Sequence, residues 1–196
     1  TVEPDKYSIG ELRNMSIENS SHEYIVYMDD DDYYDINSVK ARIISLLKYK
    51  QEGIECVGCE SVPFFNLING ENMTGSNKKN YLAEASMAHT KEFWRKRQFN
   101  NDKIGEFHYF LIYRQHKVLH IPYEFIMIAL NHNVNTTGLS RFSKKEVDES
   151  WKNTNFSKLY FQYFPEEVKK ILLNCIKERT LEHYDKETQD LDKKNN

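Results

Sequence analysis

Between His22 and Tyr34 the chain reads His-Glu-Tyr-Ile-Val-Tyr-Met-Asp-Asp-Asp-Asp-Tyr-Tyr, an apolar and aromatic run that leads directly into four consecutive aspartates. Residues 24–28 are rich in β-branched and aromatic types and lack helical spacing, which predicts a strand buried in a sheet. Open α/β sheets bind their ligands at the carboxyl ends of strands. We therefore expect the chemistry of this protein at residues 29–32.

Four adjacent carboxylates repel one another unless a cation or hydrogen-bond donors neutralise them. Carboxylate oxygens are hard ligands, so this run favours a divalent metal ion beside an anionic group. The alternative is a solvated acidic turn, because Asp is a common turn residue. The spacing alone leaves both interpretations open.

The composition indicates a globular protein without a general attraction to nucleic acid. The 196 residues are 39% hydrophobic and 13% aromatic, and the net charge is -3. Three cysteines argue against a disulfide framework and for a reducing compartment, which favours the cytoplasm or the cytosolic face of a membrane. Cys56 and Cys59 form a C-x-x-C pair, which we interpret as buried strand cysteines. No run of 18 apolar residues occurs, so no transmembrane segment is expected.

Helices are predicted on both sides of the acidic run. Residues 7–17 have helical spacing, and Arg13 can project from them toward the strand end, although a surface arginine is the simpler alternative. A second helix is predicted from residue 38 to about residue 50. Its apolar face is expected to consist of Val39, Ile43, Leu46 and Leu47.

Further along the chain, residues 82–90 are predicted to form a strand and residues 91–97 a short helix. Gly105 then precedes a helix whose first turn contains Glu106. A carboxylate at that position is stabilised by backbone amides, so capping is the alternative to catalysis. His132 lies in a polar loop after a β-like run and is a candidate metal ligand, although a lone histidine usually is not one.

The pattern divides the chain into an α/β domain over residues 1–140 and a helical carboxyl-terminal extension over residues 141–196. The extension carries an aromatic stripe, interpreted as core or as a partner surface, and ends in a charged segment expected to fray.

An ordered set of motifs resembles family 2 glycosyltransferases with the GT-A fold. Its parts are Ile9-Gly10-Glu11-Leu12-Arg13-Asn14, the strand that ends in Asp29-Asp30-Asp31-Asp32, and Gly105-Glu106 with Arg114 downstream. In that family a G-x-x-R-N element precedes a strand with a D-x-D motif, and an acidic G-E-D-type motif follows. The resemblance covers roughly residues 7–140 and implies a GT-A-like mixed sheet with flanking helices.

The resemblance also implies a role for each matching residue. Asp29 and Asp31 match the carboxylates that hold manganese or magnesium on the diphosphate of a nucleotide-sugar, and Asp29 and Asp30 would contact the donor. Arg13 matches an arginine that positions the donor. Glu106 falls in the motif that supplies the catalytic base of inverting members, and His132 falls where some of these enzymes have a third metal ligand.

The chain lacks two features of the family pattern, an acidic residue and a set of strands. Phe107 stands where the acidic motif usually continues with Asp, so Glu106 would act alone or the base would lie elsewhere. The family's first strands, which bind the nucleoside, have no counterpart here. We expect them on a longer parent chain or on another chain, unless the protein no longer acts as an ordinary transferase.

The sequence therefore predicts a metal-dependent, inverting glycosyltransferase that takes a sugar from a nucleotide-sugar, with a UDP-sugar favoured, and transfers it to an acceptor hydroxyl. The acceptor, whether glycan, protein or lipid, is not indicated. Two alternatives stay open. One is a metal-dependent phosphotransferase or hydrolase that uses the same acidic cluster, and the other is a non-catalytic binding module in which the acidic loop is structural.

Overall fold

The protein has a mixed α/β fold with two mixed sheets and flanking helices in a computed structural model. The structure describes residues 7–67, 72–76, 82–101, 106–131 and 164–174. The chain forms two compact units: Thr1–Val62 with Ser76–Met127, and Pro63–Gly75 with Ile128–Asn196. Arg13, Asp29, Glu84 and Glu106, discussed below, belong to the first unit, whereas His132 belongs to the second.

The helices are α1 (Ile9–Glu18), α2 (Ser38–Lys48), α3 (Lys91–Lys96) and α4 (Glu106–Leu111), and residues 166–174 are also helical. The strands are β1 (Tyr24–Val26), β2 (Tyr33–Tyr34), β3 (Cys56–Gly58), β4 (Ser61–Asn66), β5 (Asn72–Ser76), β6 (Ala88–Thr90), β7 (Val118–His120) and β8 (Met127–Asn131). The predictions of a strand over residues 24–28 and of helices at α1, α2, α3 and α4 are thus confirmed, with β1 shorter than expected.

The sheet of the first unit has the strand order β1-β6-β3-β7. β6 is antiparallel to both β1 and β3, whereas β3 and β7 are parallel. β1, β3 and β7 therefore point the same way, and their carboxyl ends share one edge with the amino end of β6. We call this the carboxyl edge; the aspartates that follow β1 and the turn that precedes β6 both lie there.

In the second unit β4 and β8 run parallel, with Phe64 opposite Ala129, and the strand order is β8-β4-β5. The rings of Phe65 and Phe164 pack edge to face there, with centroids 5.7 Å apart. The predicted division at residue 140 and most of the predicted helical extension fall on residues outside the described part of the chain.

An aromatic core lies beneath the sheet of the first unit. Phe99 stacks on Phe110 at 4.1 Å, and Phe93 meets Phe110 edge to face at 5.3 Å. His89 is fully buried among these rings, where loss of solvation lowers its pKa to about 4 and keeps the imidazole neutral. Its Nδ1 atom lies 2.8 Å from the carbonyl oxygen of Thr90, and its Nε2 atom lies 3.1 Å from the hydroxyl of Tyr27.

The predicted apolar face of α2 is wrong in part. Leu46 is buried, but Val39 and Leu47 are 45% and 52% exposed. The buried line of the helix instead runs through Ser38, Arg42 and Leu46. Arg42 turns inward because its guanidinium donates to main-chain carbonyls of the sheet, and hydrophobic periodicity does not register such contacts.

Residues 82–90 do not form the single strand that their apolar pattern predicts. A 3-10 turn, Glu84–Ser86, precedes the short strand β6. Ser86 closes this turn, because its hydroxyl donates to the carbonyl of Ala83 (2.7 Å) and accepts the N–H of Cys59 (2.8 Å). The turn brings Glu84 to the carboxyl edge.

Among the helices that the structure describes, none combines the length and the apolar character needed to cross a bilayer.

Candidate functional site

The G-x-x-R-N element of α1 fastens this helix to the segment that leads toward Glu106. Gly10 allows close approach, since a Cβ atom there would lie 1.9 Å from the main-chain oxygen of Asn100. The Asn14 amide donates to the carbonyl of Phe99 (2.9 Å), and its oxygen accepts both the N–H of Phe99 (3.0 Å) and the indole N–H of Trp94 (2.9 Å). Both residues thus fix α1 against residues 94–100.

Arg13 projects from α1 into the interior and forms an ion pair with Glu106. The Nε atom of Arg13 lies 3.3 Å from Oε1 of Glu106, and the two side chains are 16% and 3% exposed. The guanidinium also lies over the ring of Phe107, 4.2 Å from its centroid, and 5.2 Å from that of Tyr27. Arg13 is therefore not a surface arginine. The sequence suggested a capping or a catalytic role for Glu106, and neither role predicted this ion pair.

Two atoms of this ion pair are incompletely satisfied. Nη1 of Arg13 and Oε1 of Glu106 are buried and have no hydrogen-bond partner among the described residues. A buried charged group that lacks a hydrogen bond costs on the order of 1–3 kcal/mol or more, so such atoms in a folded protein call for an explanation. A ligand oxygen that accepts a hydrogen bond from Nη1 of Arg13 would explain the unpaired state of that atom.

The acidic loop after β1 is tied to the turn before β6 through one hydroxyl group. The N–H of Asp29 donates to the hydroxyl of Tyr34 (2.8 Å), which donates in turn to the carbonyl of Ala85 (3.1 Å). The Asp29 carboxyl is partly desolvated by the surrounding chain, and this raises its pKa. Arg13 opposes that shift, whereas Asp31 and Asp30 add to it.

Arg42 holds the strand ends beneath this loop. Its Nη1 atom donates to the carbonyl of Tyr27 (2.7 Å) and to that of Met87 (3.3 Å), and its Nη2 atom donates to the hydroxyl of Ser38 (2.7 Å). Desolvation lowers the Arg42 pKa to about 10, so the side chain stays charged at neutral pH. The exit of β1 and the entry of β6 are thereby joined by a buried cation.

Glu84 is the site residue that sequence reasoning missed. The pKa of its carboxyl group is raised to about 7, mainly by burial; Glu106 and Asp29 contribute to the rise, and Arg13 opposes it. Glu84 therefore interacts electrostatically with the Arg13–Glu106 pair and with the acidic loop. A signal was present, since Glu84 is the sole charged residue between Tyr81 and Thr90.

The structure thus brings Arg13, Asp29, Glu84 and Glu106 together at the carboxyl edge, and we call these four residues the edge cluster. Asp30 and Asp31 follow on the same loop with exposed side chains. His132 lies outside the described residues. Within the described ranges, no three His, Cys, Asp or Glu side chains are arranged to hold a metal ion, so the metal site stays a prediction.

Cys56 and Cys59 are buried free thiols, as their strand setting predicted. Burial raises the pKa of the Cys59 thiol to about 12, so it is not ionised at neutral pH. Arg114 is also structural: its guanidinium lies 3.3 Å from the centroid of the Phe93 ring and donates to the carbonyls of Phe93 and Phe110.

Neither the models of known protein families nor the curated proteins contain a match to this chain. We therefore infer the function from the site itself.

Proposed function

We propose that this chain is a metal-dependent, inverting glycosyltransferase domain of the GT-A type, which moves a sugar from a nucleotide-sugar to an acceptor hydroxyl. The observation that supports the proposal is the edge cluster. Arg13, Asp29 and Glu106 come from three separate motifs of the ordered pattern, and they meet at the edge where open α/β sheets bind ligands.

Arg13 is suited to bind the diphosphate of the donor. Its Nε atom lies 3.3 Å from Oε1 of Glu106, whereas Nη1 is buried without a hydrogen-bond partner among the described residues. A guanidinium group matches the geometry of phosphate oxygens and stays charged at all physiological pH values. The rings of Phe107 and Tyr27 limit the directions that the guanidinium can take. Asp29 and Asp30 would contact the remainder of the donor.

The residues present fit a manganese or magnesium ion bound by Asp29 and Asp31. Both ions accept hard oxygen ligands, and magnesium commonly uses only one or two carboxylates together with substrate phosphates and water. A preformed set of three protein ligands is therefore not required. When bound, such an ion neutralises the charge that develops on the leaving nucleoside diphosphate. His132 as a further ligand stays a prediction.

The transfer also requires a carboxylate that removes the proton of the acceptor hydroxyl. The resemblance assigns this role to Glu106, and that assignment stays a prediction. We favour a UDP-sugar as donor and the cytoplasm or the cytosolic face of a membrane as location. The buried free thiols are compatible with a reducing compartment. The resemblance also implies strands that bind the nucleoside, and their presence on a longer parent chain or on another chain stays a prediction.

Replacement of Asp31 by Ala tests the proposal. The variant should lose manganese-dependent binding of the nucleoside diphosphate, measured by calorimetry, and should lose transfer. Glu52→Ala is the matched control, because Glu52 is an exposed carboxylate on the turn after α2. Unchanged nucleotide binding and transfer in Asp31→Ala would refute the site. Release of phosphate without any sugar transfer would favour a phosphotransferase or hydrolase instead.

A further inference from the structure

The surroundings of Glu106 are unfavourable for a general base. A base must come within hydrogen-bond reach of the hydroxyl that it deprotonates. The side chain of Glu106 is only 3% exposed, and its Oε1 atom lies 3.3 Å from a guanidinium nitrogen. An acceptor would therefore have to displace Arg13 to reach this atom.

Glu84 has the properties that Glu106 lacks. It is half-buried, and it lies on the turn that Tyr34 ties to the acidic loop. Its turn therefore lies on the β6 side of the proposed donor site, whereas Arg13 and Glu106 come from α1 and α4. The described charged groups that act on Glu84 are Glu106, Arg13 and Asp29.

The buried atoms of the Arg13–Glu106 pair distinguish this site from a chance group of acidic side chains. Glu106 is almost completely buried and interacts electrostatically with Glu84. Oε1 of Glu106 and Nη1 of Arg13 have no hydrogen-bond partners within the described ranges. Nη1 of Arg13 can therefore donate a hydrogen bond to a ligand, while the ion pair with Glu106 keeps the guanidinium in position.

We propose that Glu84 is the group that takes the proton from the acceptor hydroxyl, and that Glu106 is a positioning residue that orients Arg13. This inference rests on the proposed glycosyl transfer. In the step, the acceptor O–H bond breaks and the proton passes to the Glu84 carboxylate. The acceptor oxygen forms a bond to the anomeric carbon, and the bond from that carbon to the diphosphate oxygen breaks with its electron pair on the diphosphate. Glu84 then releases its proton to water.

Azide separates the two roles, because azide is an anionic acceptor without a proton to remove. The unmodified chain, Glu84→Gln, Glu106→Gln and the exposed control Glu52→Gln are each given manganese and UDP-glucose, UDP-galactose, GDP-mannose or dTDP-glucose. Transfer to water and transfer to azide are measured for the donor that the unmodified chain uses fastest, and binding of the matching nucleoside diphosphate is measured by calorimetry. Thermal unfolding verifies that each variant is folded.

For Glu84→Gln we expect nucleotide affinity close to that of the unmodified chain, a loss of transfer to water of about a hundredfold or more, and retained transfer to azide. For Glu106→Gln we expect nucleotide binding weakened about tenfold, with transfer to water and to azide reduced alike. Glu52→Gln should match the unmodified chain in all three measurements.

Unchanged transfer to water in Glu84→Gln would overturn the assignment. So would an equal loss with both acceptors, or a loss of manganese-dependent nucleotide binding, which would make Glu84 a ligand. Failure of the proposed function is visible separately, because the unmodified chain would then bind none of the nucleotides; that result overturns the assignment as well.

Discussion

The Nε atom of Arg13 lies 3.3 Å from Oε1 of Glu106 and joins the middle of α1 to the first residue of α4. Since both side chains are mostly buried, removal of one charge leaves the other desolvated and unpaired. Such breakage of a buried pair commonly costs about 3–5 kcal/mol, whereas removal of both charges costs less.

We therefore expect Glu106→Gln to lower the free energy of unfolding by about 3 kcal/mol, since Arg13 is still slightly exposed. The double variant Arg13→Met with Glu106→Gln should recover part of this loss. Urea unfolding of both single variants and the double variant gives the coupling energy. Additive single effects would mean that the two side chains do not interact.

Gly10→Ala tests how α1 is seated. The added Cβ atom would lie 1.9 Å from the main-chain oxygen of Asn100, so α1 or the segment before α4 must shift. We expect a loss of about 1–3 kcal/mol in unfolding free energy and weaker nucleotide binding, because Arg13 moves with the helix.

Ser16→Ala is the control for that substitution, since Ser16 is exposed on the same helix. Alanine has the higher helix propensity, so this variant should be as stable as the unmodified chain or slightly more so. A Gly10→Ala variant of normal stability would contradict the close packing of α1.

Tyr34→Phe removes the hydroxyl that links Asp29 to Ala85. The N–H of Asp29 and the carbonyl of Ala85 each lose a partner, so we expect a destabilisation of about 1–2 kcal/mol. The acidic loop should also bind manganese and nucleotide less tightly, which calorimetry would measure. Tyr24→Phe removes a hydroxyl from the start of β1 and should leave binding unchanged. Equal nucleotide affinity in both variants would show that the hydroxyl link does not order the loop.

Glu84 should make the stability of the metal-free protein depend on pH. Its pKa rises from the ordinary value of 4.5 to about 7 on folding, with Glu106 and Asp29 adding to the shift and Arg13 opposing it. As the pH rises from about 4.5 to 7, the unfolded chain releases the proton while the folded chain retains it, so this contribution to stability is lost.

Glu84→Gln lacks this titration. Its unfolding free energy relative to the unmodified chain should therefore increase by roughly 3 kcal/mol between pH 4 and pH 8. His89 titrates in the opposite sense, since its pKa is lowered on folding, but it is present in both proteins and cancels in the difference. Urea unfolding at several pH values in the presence of a chelator measures the difference. A constant difference across this range would mean that Glu84 titrates normally.

Local signals in the sequence predicted much of the fold. The β-branched and aromatic run before Asp29 identified β1, and the helical spacing around Arg13 identified α1. The resemblance of the ordered motifs to family 2 glycosyltransferases also predicted that Arg13, Asp29 and Glu106 contribute to one site.

The features of the fold and of the candidate site that the sequence did not predict depend on tertiary contacts. Arg42 is buried because main-chain carbonyls of Tyr27 and Met87 accept its hydrogen bonds, and hydrophobic periodicity therefore misassigned the inner face of α2. Glu84 was overlooked because its small and apolar neighbours resemble a strand. Its turn is closed instead by the hydroxyl of Ser86, which also accepts the N–H of Cys59.

We propose that the edge cluster binds a nucleoside diphosphate together with a divalent metal ion. Calorimetric titration of the unmodified chain with UDP, GDP and dTDP, each with and without manganese, measures this binding. We expect one nucleotide, with UDP favoured, to bind only when manganese is present. Absence of binding by all three nucleotides, with and without manganese, would contradict it.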